Sequence, residues 1–334
     1  MVDRPVFGCK RTRKAKRGVQ GLGNNVTAKI VLVTGASGFL GRPLVNHLLR
    51  AGYAVRAAAR GSPMFRATVE VVRIPDLSNT IDWTGALDGV DAVVHLAGLA
   101  HADSNGVELP AFDSINWLAT QNLAAAATQA GVKNFIFVSS VRAQVGPAAD
   151  RVVREDDEAR PTDQYGRSKL AAETAVRAAG LPFTILRPVA VYGPHPRGNV
   201  QTLVRLALLP VPLPLLGVAS RRSLLGIDNF ISAVQFALGN PATLGEVYLL
   251  ADTVPFTVSE IFTMLRKAQG RRPGLFYVPP MLLRAGLAIS KRDLWQRMSG
   301  DLVVDTSKLQ ALGWRPAVDT YDGIVAMMRA ELTR

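Results

Sequence analysis

A tyrosine and a lysine stand four residues apart in "TDQYGRSKLAAETA" (residues 162–175), inside an alanine-rich run that reads as a helix. Residues i and i+4 share a helix face, so Tyr165 and Lys169 point into the same space. A phenol beside an ammonium is suited to proton exchange. The cation favours the phenolate and readies the tyrosine to take a proton from an alcohol or return one to a ketone. A lone pair of this kind on an exposed helix does nothing, so its meaning rests on the surrounding elements. The four histidines, His47, His95, His101 and His195, show no metal-ligand spacing, and no metal site is expected. The acids Glu155, Asp156, Asp157 and Glu158 of "REDDEARP" read as a solvated loop ahead of the helix, placed to act as a lid.

Those elements alternate along the chain. "KIVLVT" (29–34) is a buried strand, followed by a glycine turn and a helix "RPLVNHLLRAG" with Pro43 near its start and Gly52 at its end. "YAVRAAAR", "VEVVRIPD" (69–76), "DAVVHLAG" (91–98) and "NFIFVSS" (134–140) are the next four strands, the last preceded by the helix "INWLATQNLAAAATQAG". The helix carrying Tyr165 and Lys169 comes next, then a strand "FTILRPVAVYG" (183–193). Strands alternating with helices specify an α/β fold, a Rossmann-type doubly wound parallel sheet whose ligands bind beyond the carboxyl ends of the strands. After Gly193 the pattern loosens into proline-rich loops and scattered helices. Residues 26–193 are therefore read as a dinucleotide-binding domain and 194–334 as a smaller substrate-binding region interleaved with the last strands.

The glycine turn "TGASGFLG" specifies what the first strand holds. Gly35 permits a tight bend, Gly38 lets backbone approach a diphosphate, and Gly41 lets helix pack on strand, with Ser37, Phe39 and Leu40 filling the turn between them. The helix that follows offers N–H groups and a partial positive charge to the same anion. At the end of the second strand an acid would accept the ribose 2′-hydroxyl of NAD, whereas a base accommodates the 2′-phosphate of NADP. Here Ala59 occupies the acidic place and Arg60 follows, so the cofactor is NAD or NADP with a lean to NADP. Asp76 and Leu77 end the third strand where an adenine edge would be read, and Leu96, Ala97 and Gly98 pass beneath the adenosine.

Composition narrows the classes. Hydrophobic residues make up 48% of the 334, which excludes general disorder. The single cysteine, Cys9, leaves no disulfide or thiolate metal site, and no apolar run is long enough to span a bilayer, so a reduced, cytoplasmic setting is expected. The net charge of +13 first suggests nucleic acid, but the first 25 residues carry +6 of it, leaving +7 over the remainder. That value suits anionic small ligands, and no nucleic-acid partner is expected. Residues 1–25 read as a disordered or spurious extension, with Val26 a candidate start.

The motifs "TGASGFLG", "HLAG", "VSS", "YGRSK" and "LRPVAVYGP", in this order and spacing, resemble the extended short-chain dehydrogenase/reductases. Within them the chain is similar to the NAD-dependent epimerase/dehydratase family acting on nucleotide sugars, from about Lys29 almost to the C-terminus. The resemblance makes Tyr165 the proton acceptor or donor, with Lys169 lowering its pKa and holding the nicotinamide ribose. It makes Ser140, ahead of Ser139, the hydroxyl that bonds the same substrate oxygen. It adds Asn116 and Pro188 to the cofactor environment. On the substrate side it implies Arg222 on a diphosphate, Asn199 on the diphosphate or nucleotide, and Arg297 as a second phosphate contact. A homodimer and a UDP-linked sugar are implied in the same way.

The expected activity is hydride transfer at C4 of a UDP-hexose for polysaccharide sugar supply, as a 4-epimerase such as UDP-glucose 4-epimerase or as a 4-keto reductase. Ala190, where many UDP-glucose 4-epimerases carry asparagine, leaves the hexose open. A dehydratase is disfavoured because "SSVRAQ" lacks the Asp-Glu pair that follows its active-site threonine. The alternative from another class is a non-catalytic relative that keeps a dinucleotide for structure or sensing.

Overall fold

A computed structural model describes residues 7–8, 10–11, 28–61, 65–99, 109–279, 281–283 and 300–333. In chain order the strands and helices begin with β1 (Phe7–Gly8), β2 (Lys10–Arg11), β3 (Ile30–Thr34), α1 (Gly41–Arg50), β4 (Ala54–Ala59), β5 (Glu70–Arg73), β6 (Ile81–Asp82), α2 (Thr84–Leu87) and β7 (Ala92–His95). Next come α3 (Leu109–Phe112), a wider π turn (Asp113–Leu118), α4 (Ala119–Gln129), β8 (Asn134–Val138), α5 (Gln164–Ala178), β9 (Phe183–Pro188) and β10 (Ala190–Tyr192). The chain continues through α6 (Gly198–Leu208), β11 (Arg221–Arg222), β12 (Leu224–Gly226), α7 (Ile227–Gly239), β13 (Glu246–Leu250), β14 (Phe256–Thr257), α8 (Val258–Lys267), α9 (Ser307–Ala311) and α10 (Thr320–Leu332).

An eight-stranded sheet runs β13-β9-β8-β7-β3-β4-β5-β2, with seven strands parallel and β2 antiparallel at the edge. This is the expected Rossmann-type order, reversing at β3 and β7. Val31, Leu32 and Val33 of β3 are all at most 1% exposed, as a strand covered on both faces requires. The one charge inside a central strand, Arg56 on β4, is satisfied locally: Nε donates to Glu70 at 2.9 Å and a terminal nitrogen to the carbonyls of Ala86 and Asp88. Four residues of the basic N-terminal segment are described, with Phe7–Gly8 paired to Ile81–Asp82 and Lys10–Arg11 to Arg73 and Val72.

The chain divides into two compact units. One comprises Met1–Val138, Ala171–Ile185 and Ala237–Glu246, and the other Ser139–Leu170, Leu186–Phe236 and Val247–Arg334. In the second unit the single strand expected over 183–193 is broken. Pro188 ends β9, and β10 pairs instead with β12 in a separate ribbon, because proline donates no ladder hydrogen bond. That unit has its own apolar core, in which Val204 of α6, Phe262 of α8 and Met328 of α10 are buried together. Beside it, Tyr192 donates to Asp252 at 2.8 Å, and Asn229, Thr320 and the N–H of Gly226 donate to the same carboxylate. Burial and that neighbouring carboxylate push the Tyr192 hydroxyl up.

Candidate active site

In the first unit the turn after β3 is built from glycines for steric reasons. Gly35 has φ +65°, and a Cβ there would lie 2.9 Å from the Ala97 nitrogen, so the "HLAG" segment crosses directly over it. A Cβ on Gly41 would lie 2.2 Å from the Gly35 carbonyl oxygen. The Gly38 N–H donates to that same oxygen at 2.9 Å. Helix α1 then begins with no side-chain cap and no acid in its first turn. Its positive end is thus not neutralised by the chain's own side chains, and the turn fits a dinucleotide diphosphate. Ser37 is exposed, and Phe39 and Leu40 are half-buried along the turn.

Behind the turn lies a hydrogen-bond chain through His95. Thr120 donates to the Asn116 carbonyl at 2.6 Å, so it accepts from His95 Nε2 at 2.9 Å. His95 Nδ1 then accepts from Thr34 at 2.6 Å, and Thr34 accepts the Ala97 N–H at 3.2 Å. The chain fixes a neutral, Nε2-protonated imidazole. Asn116 lies in the π turn and spends its side chain on one residue: Oδ1 accepts the Leu99 N–H at 2.7 Å and Nδ2 donates to the Leu99 carbonyl at 3.1 Å. It therefore holds the backbone just beyond Leu96, Ala97 and Gly98. Arg60 and Asp76, both expected near the adenosine, are ion-paired at 3.0 Å with the guanidinium 72% exposed. Hydrogen bonds from Ser78, and then Arg60, hold the Asp76 carboxyl below the usual range, and Leu77 beside it is buried.

In the second unit Ser139 is buried and its N–H donates to the Leu186 carbonyl. Ser140 caps the short turn that follows, its Oγ accepting the Arg142 N–H at 3.2 Å. Tyr165 on α5 is hydrogen-bonded to the Ser140 side chain. Lys169, one turn further along α5, is 4% exposed. Burial pushes the Tyr165 hydroxyl up, while the Ser140 hydrogen bond and the Arg142 charge pull it down and Asp163 pushes it up again.

Close packing holds this group. A Cβ on Gly166 would lie 2.2 Å from the Arg142 carbonyl oxygen, so only glycine lets α5 approach that turn. Asp163 accepts the Gly166 N–H at 2.7 Å with one oxygen and pairs with the Arg142 guanidinium through the other. Buried Arg187 donates to Gln144 at 2.9 Å, and Gln144 in turn donates to the carbonyls of Arg154 and Asp157, which shapes the acidic loop. That loop is less solvated than its composition suggests. Glu155 is half-buried, accepts the Leu249 N–H at 2.8 Å, and is pushed up by burial.

Arg222 donates to the Pro147 carbonyl at 2.6 Å. Burial lowers its pKa to about 10; Asp301 opposes that effect and the like charge of Arg142 adds to it. Two guanidiniums in mutual range on a partly buried surface fit an anionic substrate group. Asn199 is exposed in the first turn of α6, Pro188 is buried at the end of β9, and Ala190 is exposed on β10. Arg297 lies outside the described residues. Among the described residues no group of His, Cys, Asp and Glu could hold a metal ion, and no helix is long and apolar enough to cross a membrane.

The sequence pattern of the NAD dependent epimerase/dehydratase family matches residues 31–251. The chain belongs to that family. Among its relatives, a UDP-glucose 4-epimerase of Vibrio cholerae is 30% identical over 93% of this chain and 98% of its own length. A ceramide reductase of Caulobacter vibrioides is 32% identical over 81% of this chain and 79% of its own. The solved structure of MoeE5 in complex with UDP-glucose and NAD superposes with a TM-score of 0.74 at 27% identity, covering 91% of this chain and 98% of that one.

For a member of the epimerase/dehydratase family, Arg142, Asp163 and Gly166 are the site-shaping residues that motif reading passed over. Two had a signal: an aspartate two residues before the tyrosine is a helix-capping residue, and a glycine inside an alanine-rich helix requires a packing reason. Arg142 had none, because nothing in "SSVRAQ" says which way its side chain turns.

Proposed function

We propose that the protein is an NAD(P)-dependent nucleotide-sugar enzyme that moves a hydride at C4 of a UDP-hexose, as a 4-epimerase or a 4-keto reductase. The observation that carries this reading is Tyr165 hydrogen-bonded to Ser140 with buried Lys169 one helical turn away. When bound, the dinucleotide supplies the hydride acceptor or donor. Tyr165 as phenolate takes the C4 hydroxyl proton as the C4–H bond breaks, leaving a ketone, and as phenol returns the proton to oxygen when the ketone is reduced. Ser140 donates to the same oxygen as its charge develops. Arg222, with Asn199 and Arg297, holds the diphosphate end, and Lys169 holds the nicotinamide ribose.

Val141 and Arg142 follow Ser140 where a dehydratase needs acids, which disfavours elimination of water. One observation favours the reductase form: Ala59 leaves no carboxylate to oppose a 2′-phosphate, and Arg60 is exposed beside it. A non-catalytic role gives no account of a buried Ser-Tyr-Lys group. A homodimer belongs to the same proposal, and gel filtration with light scattering tests it.

The deciding experiment gives the purified enzyme NADH or NADPH with a UDP-4-keto-6-deoxy-hexosamine, and separately UDP-glucose and UDP-N-acetylglucosamine. Stoichiometric NADPH oxidation identifies the reductase. Interconversion of UDP-hexoses without net cofactor consumption identifies the epimerase. If neither is seen with any of these substrates, the C4 reading fails.

A further inference from the structure

We propose that the Arg142–Asp163 ion pair is a positioning and charge-balancing device for Tyr165, a role distinct from substrate binding. This rests on the reading of Tyr165 as the acid–base group. Each catalytic element is tied to the pair twice over. The Arg142 N–H donates to Ser140 Oγ, and the Arg142 carbonyl oxygen fills the space a side chain at position 166 would occupy, next to Tyr165. The Arg142 guanidinium pairs with Asp163, whose other oxygen caps α5 through the Gly166 N–H. Ser140 and Tyr165 thus sit at the two ends of one bracket, closed covalently through the turn at one side and ionically at the other.

The charges in the bracket act on Tyr165 in opposite senses. The groups that face it are Lys169 and Ser168 on its own helix, Asp163 before the helix, and Ser140 and Arg142 on the turn after β8, with Arg222 and Asp301 acting on Arg142 beyond. Arg142 favours the phenolate and Asp163 the phenol. An isolated cation would hold the tyrosine ionised and poor at returning its proton, and an isolated carboxylate would hold it protonated and poor at accepting one. Side by side they leave the group able to work in both directions, as a reversible C4 oxidation–reduction demands.

The test compares wild type with Arg142→Met, Arg142→Lys and Asp163→Asn. Asparagine keeps an oxygen for the Gly166 N–H. The readouts are the pH dependence of kcat/KM and the ultraviolet titration of phenolate, with the Tyr165→Phe spectrum subtracted. Loss of the Arg142 charge should move the Tyr165 midpoint up by about one pH unit, the scale of a nearby opposite charge. Asp163→Asn should move it down, and Arg142→Lys should return it close to wild type while lowering kcat through looser geometry. A merely structural bracket would move both midpoints the same way or neither, and that result overturns the proposal. If Arg142→Met does not fold, the downward shift in Asp163→Asn still decides. The failure of the underlying reading looks different: Tyr165→Phe would then keep turnover, whatever the titrations show.

Discussion

Gly166→Ala isolates the packing of the catalytic helix from its chemistry. The added methyl would start 2.2 Å from the Arg142 carbonyl oxygen and 3.0 Å from Pro161 Cβ. Carbon–oxygen contact needs about 3.4 Å, so backbone must yield by about 1 Å, since neither neighbour is a flexible tip. Overpacking of this kind costs about 1–3 kcal/mol, and exchanging glycine for alanine in a helix returns up to about 1 kcal/mol. The net expectation is a loss of about 1–2 kcal/mol in stability, measured by urea denaturation. The effect on rate should be far larger than that figure implies. Tyr165 precedes Gly166 directly, and a displacement near 1 Å of a reacting group costs about 100-fold in kcat. Steady-state turnover alongside cofactor binding would separate the two effects, because the turn that holds the dinucleotide diphosphate is untouched. A variant with wild-type kcat and equal or greater stability would show that α5 does not rely on that contact, and the packing argument would fall.

Three further outcomes follow from the same geometry. Arg60→Ala should weaken NADPH about tenfold by fluorescence titration and leave NADH unchanged, since only the 2′-phosphate meets the guanidinium; equal effects on both would assign Arg60 to pairing with Asp76 alone. Arg222→Met should weaken UDP binding by calorimetry about 10- to 100-fold, the range for a hydrogen bond to a charged group, and unaltered binding would place the diphosphate elsewhere. Glu155 has its folded pKa raised by burial, so its protonated form is favoured in the fold: its contribution is best below the unfolded glutamate pKa and is lost as pH rises through the folded value. Glu155→Gln, which keeps an acceptor for the Leu249 N–H, should therefore raise the neutral-pH melting temperature and lose that advantage in acid; a gain independent of pH would point to a different cause.

Much of the fold could be read from local chemistry. β3, β4, β7 and β8 are short apolar runs bounded by glycines and helices, and burial on both faces makes such runs unambiguous. β9 and β10 were read as one strand because nothing in "LRPVAVYG" marks which side of Pro188 needs a ladder bond. That depends on β12, which comes more than thirty residues later. The same limit applies at the site. Tyr165, Lys169 and the glycine turn announce themselves by spacing within one element. The carboxylate that faces Arg142, the carbonyl that fills the gap at Gly166, and the backbone that Asn116 grips all belong to other segments. Residue types declared the chemistry, and tertiary contacts assigned the supporting cast.

The wide turn at Asp113–Leu118 changes how this helix must be counted. A residue of helix corresponds to about 100° of rotation, so a looser turn puts the stretch before it and the stretch after it out of phase. A face drawn from Leu123 and Ala127 backward through Ala119 cannot be extended in regular steps to Phe112. Shortening the helix by one residue in that turn would straighten it into ordinary α-helix, but one side would swing by about a quarter turn or more. Either the grip of Asn116 on Leu99 or the burial of Leu123 and Ala127 would be lost. Length at this point is thus as much a specified property as residue identity, and insertions or deletions here are far less tolerable than substitutions.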